Sequence, residues 1–242
     1  MSQIDRPIVH RFSDGDAVAT GIADAWIKKI SELLASKTEI HLQITGGTLG
    51  ILMLAKAAEH PDLNSIDFDR VNFWWGDERF VDSDSKDRNA NQAAAALLDK
   101  IDATRVHEFP AADEGLDLDD AAQEFADHVD LVKPHFDLTI LGMGPDGHVA
   151  SLFPGKPIPA AGVQIIAEHD SPKPPLRRLS FSYEAINASD EVWFVVGGAD
   201  KADAVEVAFS DEPERLPVGR IRGAKRTEWF LDSTAAVRVF GC

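Results

Sequence analysis

Residues Phe136 to Phe153, FDLTILGMGPDGHVASLF, join an apolar run to a glycine-rich turn carrying two groups able to move protons. Leu138 to Leu141 is short, apolar and partly β-branched, the pattern of a strand covered on both faces in a parallel sheet. Gly142 and Gly144 permit a turn that residues bearing a Cβ resist, and Pro145 stiffens it. Asp146 and His148 therefore emerge at the carboxyl end of a strand, where open α/β sheets bind their ligands. Asp-Gly is also a turn signal in its own right, so the plain alternative makes Asp146 a helix cap and His148 a surface residue.

The same layout recurs outward from this stretch. Ile40 to Ile44 reads as a strand and runs into Thr45-Gly46-Gly47-Thr48, with a helix expected over Leu52 to Glu59; strand, glycine turn and helix point backbone N–H groups at an anion. Glycines allowing a tight βα turn with Thr48 as cap explain the same residues without a ligand. Val71 to Trp75 is another apolar strand, ending in Gly76-Asp77-Glu78-Arg79, whose charges follow two tryptophans and so belong at the rim of the sheet. Glu191 to Val196 is a third, ending in Gly197-Gly198-Ala199-Asp200-Lys201, with Lys201 near the start of a helix through Phe209. A lysine there opposes the helix dipole and invites a reason.

The remaining segments fill out an alternating α/β pattern. Val18, Ile22, Trp26 and Ile30 recur at helical spacing from Asp14, a plausible cap, to Ala35. A polar loop from Asp82 to Asn91 precedes a helix over Gln92 to Leu98, and Asn89 either caps it or reaches the site. Asp117 to Leu131 is an amphipathic helix whose acids form a solvated face. Prolines make regular helix improbable from Gly155 to Pro175, where a short strand over Val163 to Ala167 is expected, and a loop this long belongs over or beside a site. Leu179 to Tyr183 reads as a strand opened by Arg177 and Arg178, with a short helical piece closed by Asn187. Thr227 to Leu231 is the last strand, followed by an Ala-rich helix. No repeat or linker divides residues 1–242, so one domain is expected.

Composition narrows the function. The formal net charge of −17, from 41 acids against 24 Lys and Arg, opposes attraction to phosphate backbones, so nucleic acid is not an expected partner. The one cysteine, Cys242, permits no intrachain disulfide and no cysteine cluster for zinc. The opening MSQIDRPIVHRF lacks the pattern of a signal peptide, and no run approaches the ~18 apolar residues of a membrane span. A soluble, cytoplasmic protein is expected.

Taken together, Gly76-Asp77-Glu78-Arg79 and the long stretch Leu141 to Pro154 (LGMGPDGHVASLFP) resemble the 6-phosphogluconolactonase family, within the glucosamine-6-phosphate isomerase/deaminase superfamily. Thr45 to Thr48, Pro174-Pro175 with Arg178-Leu179-Ser180, Asn187, Gly198 to Lys201 and Trp229 to Asp232 extend the likeness over most of the chain. Leu49-Gly50 and Arg88-Asn89 depart from it, where relatives commonly carry a Pro and a Ser-Asn. The resemblance implies a Rossmann-like, mainly parallel sheet flanked by helices, with a small β-containing subregion. It further implies hydrolysis of 6-phospho-D-glucono-1,5-lactone to 6-phosphogluconate, the second step of the oxidative pentose phosphate pathway, without metal or organic cofactor; a monomer or weak homodimer is expected.

Such a substrate needs a base at one end and positive charge at the other. His148 is the expected general base, with Asp146 orienting it or the attacking water, and N–H groups of the Gly142 to Gly147 turn, Gly144 included, meeting the oxyanion. Arg178 and Lys201, with the N–H groups of Gly46, Gly47 and Thr48, form the expected phosphate site. Arg79 is a further cation, and Asp77 and Asn89 complete the expected substrate contacts. An isomerase or deaminase would share the phosphate site but continue the turn with Asn-Glu-Pro, whereas Ala150 to Pro154 follows here, as in the lactonases. A sugar-phosphate sensor without turnover is opposed only by the intact Asp146 and His148. A dinucleotide-binding enzyme fails because no Gly-x-Gly-x-x-Gly follows the first strand.

Overall fold

The computed structural model describes residues 7–240; Cys242 and the start of the amino-terminal stretch lie outside the described residues. In chain order the elements are β1 (Ile8–Phe12), α1 (Gly15–Leu34), β2 (Ile40–Ile44), α2 (Gly47–Ala57), β3 (Val71–Trp75), β4 (Asp77–Arg79), α3 (Asn89–Ala96), α4 (Leu118–Val132), β5 (Phe136–Gly142), β6 (Ile165–Glu168), β7 (Arg178–Phe181), α5 (Tyr183–Asn187), β8 (Glu191–Val196), α6 (Ala202–Ala208), β9 (Arg226–Asp232) and α7 (Val237–Phe240).

Six strands form an all-parallel sheet in the order β1-β9-β8-β5-β2-β3, and β4, β7 and β6 form a small antiparallel sheet. The apolar runs dictate this: β2 and β3 are buried at every position and β8 at all but its first, as a sheet covered on both faces requires. The Asp14 carboxylate caps α1 by accepting the Ala17 N–H at 2.9 Å, and Asp117 caps α4 by accepting from Asp119 and Asp120. The acids of α4 are exposed while Leu118, Phe125 and Val129 are buried. Buried residues of both sheets belong to one apolar cluster. Among the described residues no helix is long and apolar enough to cross a membrane.

Strand order positions the site. From β2 the chain passes through α2 to β3 on one side, whereas the chain beyond β5 builds the sheet on the other side, through β8 to β9. The crevice of an open parallel sheet falls where the connections diverge, outside the strands' carboxyl ends. Thr45 Oγ1 bridges those two ends by accepting the Gly142 N–H at 3.3 Å.

Some segments depart from the pattern reading. Helix α2 starts at Gly47, five residues before the expected Leu52, so Gly46 to Thr48 are its cap and first turn; Gly46 provides no side-chain cap. Helix α3 begins at Asn89 because the buried Glu78 carboxylate accepts the Asn89 and Ala90 N–H groups at 2.7 and 2.9 Å. Asp77 to Arg79, expected at the rim of the main sheet, forms a strand of the small sheet there, paired antiparallel with β7 through Asp77↔Ser180 and Arg79↔Arg178. After Asp232 the chain makes turns over 233–236, and only Val237–Phe240 is helical. β1, unmarked by any apolar run, is an edge strand beside β9.

Candidate active site

Loops at the carboxyl ends of β2, β3, β5, β8 and β9 surround a cleft of about 740 Å³, within the size range of small-molecule sites. Gly46, Gly47, Thr48, Asp77, Arg79, Asn89, Gly144, His148, Arg178 and Lys201 all line it. Residues distant in sequence are thus brought together by the sheet order. Asp146, also singled out by the sequence, stands behind the imidazole and not in the cleft wall.

The centre of the site is the turn after β5. Gly147, with φ near +76°, closes it through its N–H to the Gly144 carbonyl, and Gly144 donates to the His148 carbonyl at 2.9 Å. A Cβ on Gly144 would fall 2.0 Å from His148 Cε1, so only glycine lets the ring lie against the backbone there. On its other side the ring meets Phe153 at 4.8 Å between centroids. His148 Nδ1 and Asp146 Oδ1 are 2.5 Å apart.

Electrostatics assigns the protons in this pair. Burial pushes the His148 ring below its ordinary range, opposed by the Asp146 hydrogen bond and charge. Burial alone would raise Asp146, but the hydrogen bond from His148, with the charges of His148 and Lys173, holds it below the usual carboxylate range. An ionised carboxylate only accepts, so Nδ1 carries the hydrogen and the Nε2 lone pair is left for chemistry.

The turn's N–H groups are less available than the sequence reading expected. Gly142 donates to Thr45, Gly144 to His148 and Gly147 to Gly144, so these three are engaged within the fold and do not face an oxyanion. The correction follows from turn geometry: the bonds that close a tight loop consume the donors it would otherwise present.

Cations gather opposite. Arg178 is buried, donating from Nε to the Pro175 carbonyl at 3.1 Å and from Nη2 to the Lys173 and Pro174 carbonyls at 3.2 and 3.4 Å, while Nη1 lies 3.8 Å from Asp77. Burial pulls its guanidinium below the usual range, with Asp77 opposing. Lys201 pairs with Asp200 at 2.7 Å. The loop bearing Lys201 is pinned by Asp232, which accepts the Gly198 N–H at 2.8 Å. Arg79 Nη1 donates to the Asp87 carbonyl at 2.7 Å, holding the Asp82 to Asn91 loop.

Asn89 spans the cleft wall and the phosphate-type loop. Its Nδ2 donates to the Asp77 carbonyl at 2.8 Å, and its Oδ1, buried and without a hydrogen-bond partner among the described residues, lies where a Cβ on Gly46 would intrude at 1.8 Å. Asp77 in turn accepts from Ser151 Oγ at 2.6 Å. Glu78, grouped by the sequence with Asp77 and Arg79, points away as the buried cap of α3, its acidity weakened by burial against the N–H groups it accepts.

Sequence reasoning missed Lys173 and Asp232 as cleft residues. Lys173 lay in the proline-rich stretch expected beside the site, where a lysine set directly between Pro172 and Pro174 was the available signal. Asp232 ends a strand that carried the family resemblance but no assigned role.

Residues 13–229 match the family described as glucosamine-6-phosphate isomerases/6-phosphogluconolactonase. A 6-phosphogluconolactonase of Streptomyces coelicolor is 40% identical, covering 98% of this chain and 95% of that protein. One from Mycobacterium leprae is 36% identical over 96% of this chain and 98% of its own. The crystal structure of 6-phosphogluconolactonase from Thermotoga maritima superposes with a TM-score of 0.82 at 27% identity, covering 94% of this chain and all of that one.

Proposed function

The chain belongs to the glucosamine-6-phosphate isomerase/6-phosphogluconolactonase family, and on that premise we propose how it opens its substrate, with His148 as general base and Arg178 and Lys201 as the phosphate grip. It is a lactone-hydrolysing enzyme, converting 6-phospho-D-glucono-1,5-lactone to 6-phospho-D-gluconate in the oxidative pentose phosphate pathway.

The observation that carries the mechanism is the proton arrangement of the Asp146–His148 pair, with His148 on the wall of the cleft and Asp146 behind it. With Nδ1–H held by Asp146, Nε2 takes a proton from water as the water oxygen attacks the lactone carbonyl. Asp146 fixes the tautomer and stabilises the imidazolium as it forms. Collapse of the tetrahedral adduct breaks the ring C–O bond, and the imidazolium returns its proton to the departing ring oxygen. Because a lactone is an activated ester that also opens unaided, the ~10²–10⁴-fold typical of a positioned base is a sufficient contribution.

At the other end, Arg178, Lys201 and the first-turn N–H groups of α2 receive the phosphate. First-turn N–H groups have no intrahelical acceptor, and the helix dipole adds to their pull on an anion. Each charge-assisted bond contributes ~1.5–3 kcal/mol, enough for a few of them to anchor a dianion in an acidic protein. Arg79, Asp77 and Asn89 supply the sugar contacts between the two ends.

The test follows acid release from freshly generated phosphorylated lactone above its spontaneous hydrolysis. His148→Ala is expected to remove the enzymatic component; turnover at the wild-type rate would refute the base.

A further inference from the structure

Lys173 lies outside every strand and helix, in the Ser171 to Pro175 run ahead of β7. Its side chain lines the cleft, and Nζ stands 3.7 Å from Asp146 Oδ1, the oxygen that also holds His148. The backbone beneath it is fixed without help from the side chain. Its carbonyl accepts from Ser171 Oγ at 2.9 Å and from Arg178 Nη2 at 3.2 Å, and its N–H donates to Ser171 Oγ at 3.3 Å. A cation is therefore built onto the rim beside the base, on a loop tied to the buried arginine.

The reactive end of the cleft must meet a developing negative charge, and several of the groups around it are already engaged or assigned elsewhere. Attack on the lactone carbonyl creates an oxyanion, yet the N–H groups of Gly142, Gly144 and Gly147 are engaged within the fold. Arg178 and Lys201 are assigned to the phosphate at the other end, and Arg79, tied to the Asp87 carbonyl, to the sugar between the two ends. We propose that Lys173 is the cation of the reactive end: its ammonium faces the lactone oxygen as negative charge develops there, and it favours the neutral imidazole of His148 between turnovers.

This role rests on the general-base reading of His148. The charged groups acting on that ring are Asp146 from its own turn, Asp77 from β4 and Lys173 from the loop before β7; the two carboxylates strengthen its hold on a proton and the lysine weakens it. The segment around Val218 meets the turn through the Leu216 side chain and the Val218 N–H, neither of them charged. Lys173 also acts on Asp200 across the mouth, but that carboxylate is already held by Lys201 at 2.7 Å.

The decisive experiment compares Lys173→Met, Lys173→Arg and His148→Ala as full-length enzymes, measuring kcat, KM and the pH profile with the phosphorylated lactone above background. Lys173→Met keeps the aliphatic stem and the backbone ties, so an unchanged thermal midpoint certifies the fold. The expected loss in kcat is about 10–10²-fold, below the 10²–10³ of a fully buried oxyanion donor because the lysine is partly solvated. KM should change little, the acid limb should move to higher pH, and arginine should restore most of the rate. A rise in KM alone, with kcat and the acid limb unmoved, would make Lys173 a phosphate contact and overturn the proposal. No change in any parameter would make it a solvated rim residue and overturn it equally. If His148→Ala abolishes turnover while the Lys173→Met limb stays in place, only the lysine assignment falls; if His148→Ala keeps full turnover, both fall.

Discussion

Two histidines of this protein are both buried enough to lose basicity, and only one stands in the cleft. His107 stacks on Trp74 at 3.9 Å between centroids, its Nδ1 2.9 Å from His128 Nε2 and its Nε2 3.2 Å from Asn72 Oδ1. Burial, with the neighbouring imidazoles His128 and His41 adding to it, pushes its pKa down to about 4. His148 suffers the same burial, but a carboxylate at 2.5 Å opposes it, and its second nitrogen has the cleft before it. Burial by itself makes an inert ring. A carboxylate behind one nitrogen and open space before the other make a base.

The strongest way to break this contrast is to remove each ring in turn. His148→Ala should lower kcat by ~10²–10⁴-fold with little change in thermal midpoint, whereas His107→Phe, which keeps the stack on Trp74, should leave kcat within about twofold. Comparable activity losses in both would erase the distinction.

Separating grip from chemistry sharpens it further. Arg178→Met or Lys201→Met should raise KM for the phosphorylated lactone by ~10–100-fold, the equivalent of one charge-assisted bond, while an unphosphorylated lactone reacts almost as before. Equal losses on the two substrates would deny those cations the phosphate.

Asp146→Asn makes His148 more like His107. Without that carboxylate, burial is opposed only by the weaker pull of Asp77, so the acid limb of kcat/KM should move to lower pH while kcat falls by about 10-fold through a weaker, less oriented base. An unmoved limb would show that Asp146 does not govern the ring.

The smallest effect concerns stability. The folded pKa of His107, about 4, lies below the ordinary value of 6.5, so the unfolded chain binds more protons between those limits. Stability is therefore full above pH ~6.5, falls as pH drops toward about 4, and falls no further from this group below that. His107→Phe should flatten this portion of the unfolding profile, with the midpoint moving by ~2–4 °C for each kcal/mol of that linkage in a chain of this size. An unchanged slope would remove His107 from the account.

Much of the fold was readable in the chain. β3 and β8 occupy the expected residues, and Asp14 and Asp117 cap the helices they precede. The misses have one cause: they depend on partners remote in sequence. β4 looks like surface charge until β7 pairs with it, α3 starts where Glu78 reaches it from a neighbouring strand, and the edge strand β1 has no apolar run to announce it. Most of the named site residues were legible because they follow a strand that ends in glycine or charge; Arg178, which opens β7, and Asn89, which opens α3, are the exceptions. Lys173, carried on a proline-rich loop, follows no strand end.

By itself the sequence determined where the apolar central strands such as β3 and β8 run, which of their tips carry glycine and charge, and that an Asp-Gly-His turn follows an apolar strand, since all of these are properties of neighbouring residues. Tertiary structure alone decided that β5 stands between β2 and β8, that Asp77, Arg178 and Lys201 line the same cleft as His148, that three of the turn's N–H groups are engaged, and that Lys173 stands beside Asp146. The reason is physical: burial and periodicity act over a few residues, whereas sheet order and hydrogen-bond commitment join groups that lie as much as 220 residues apart.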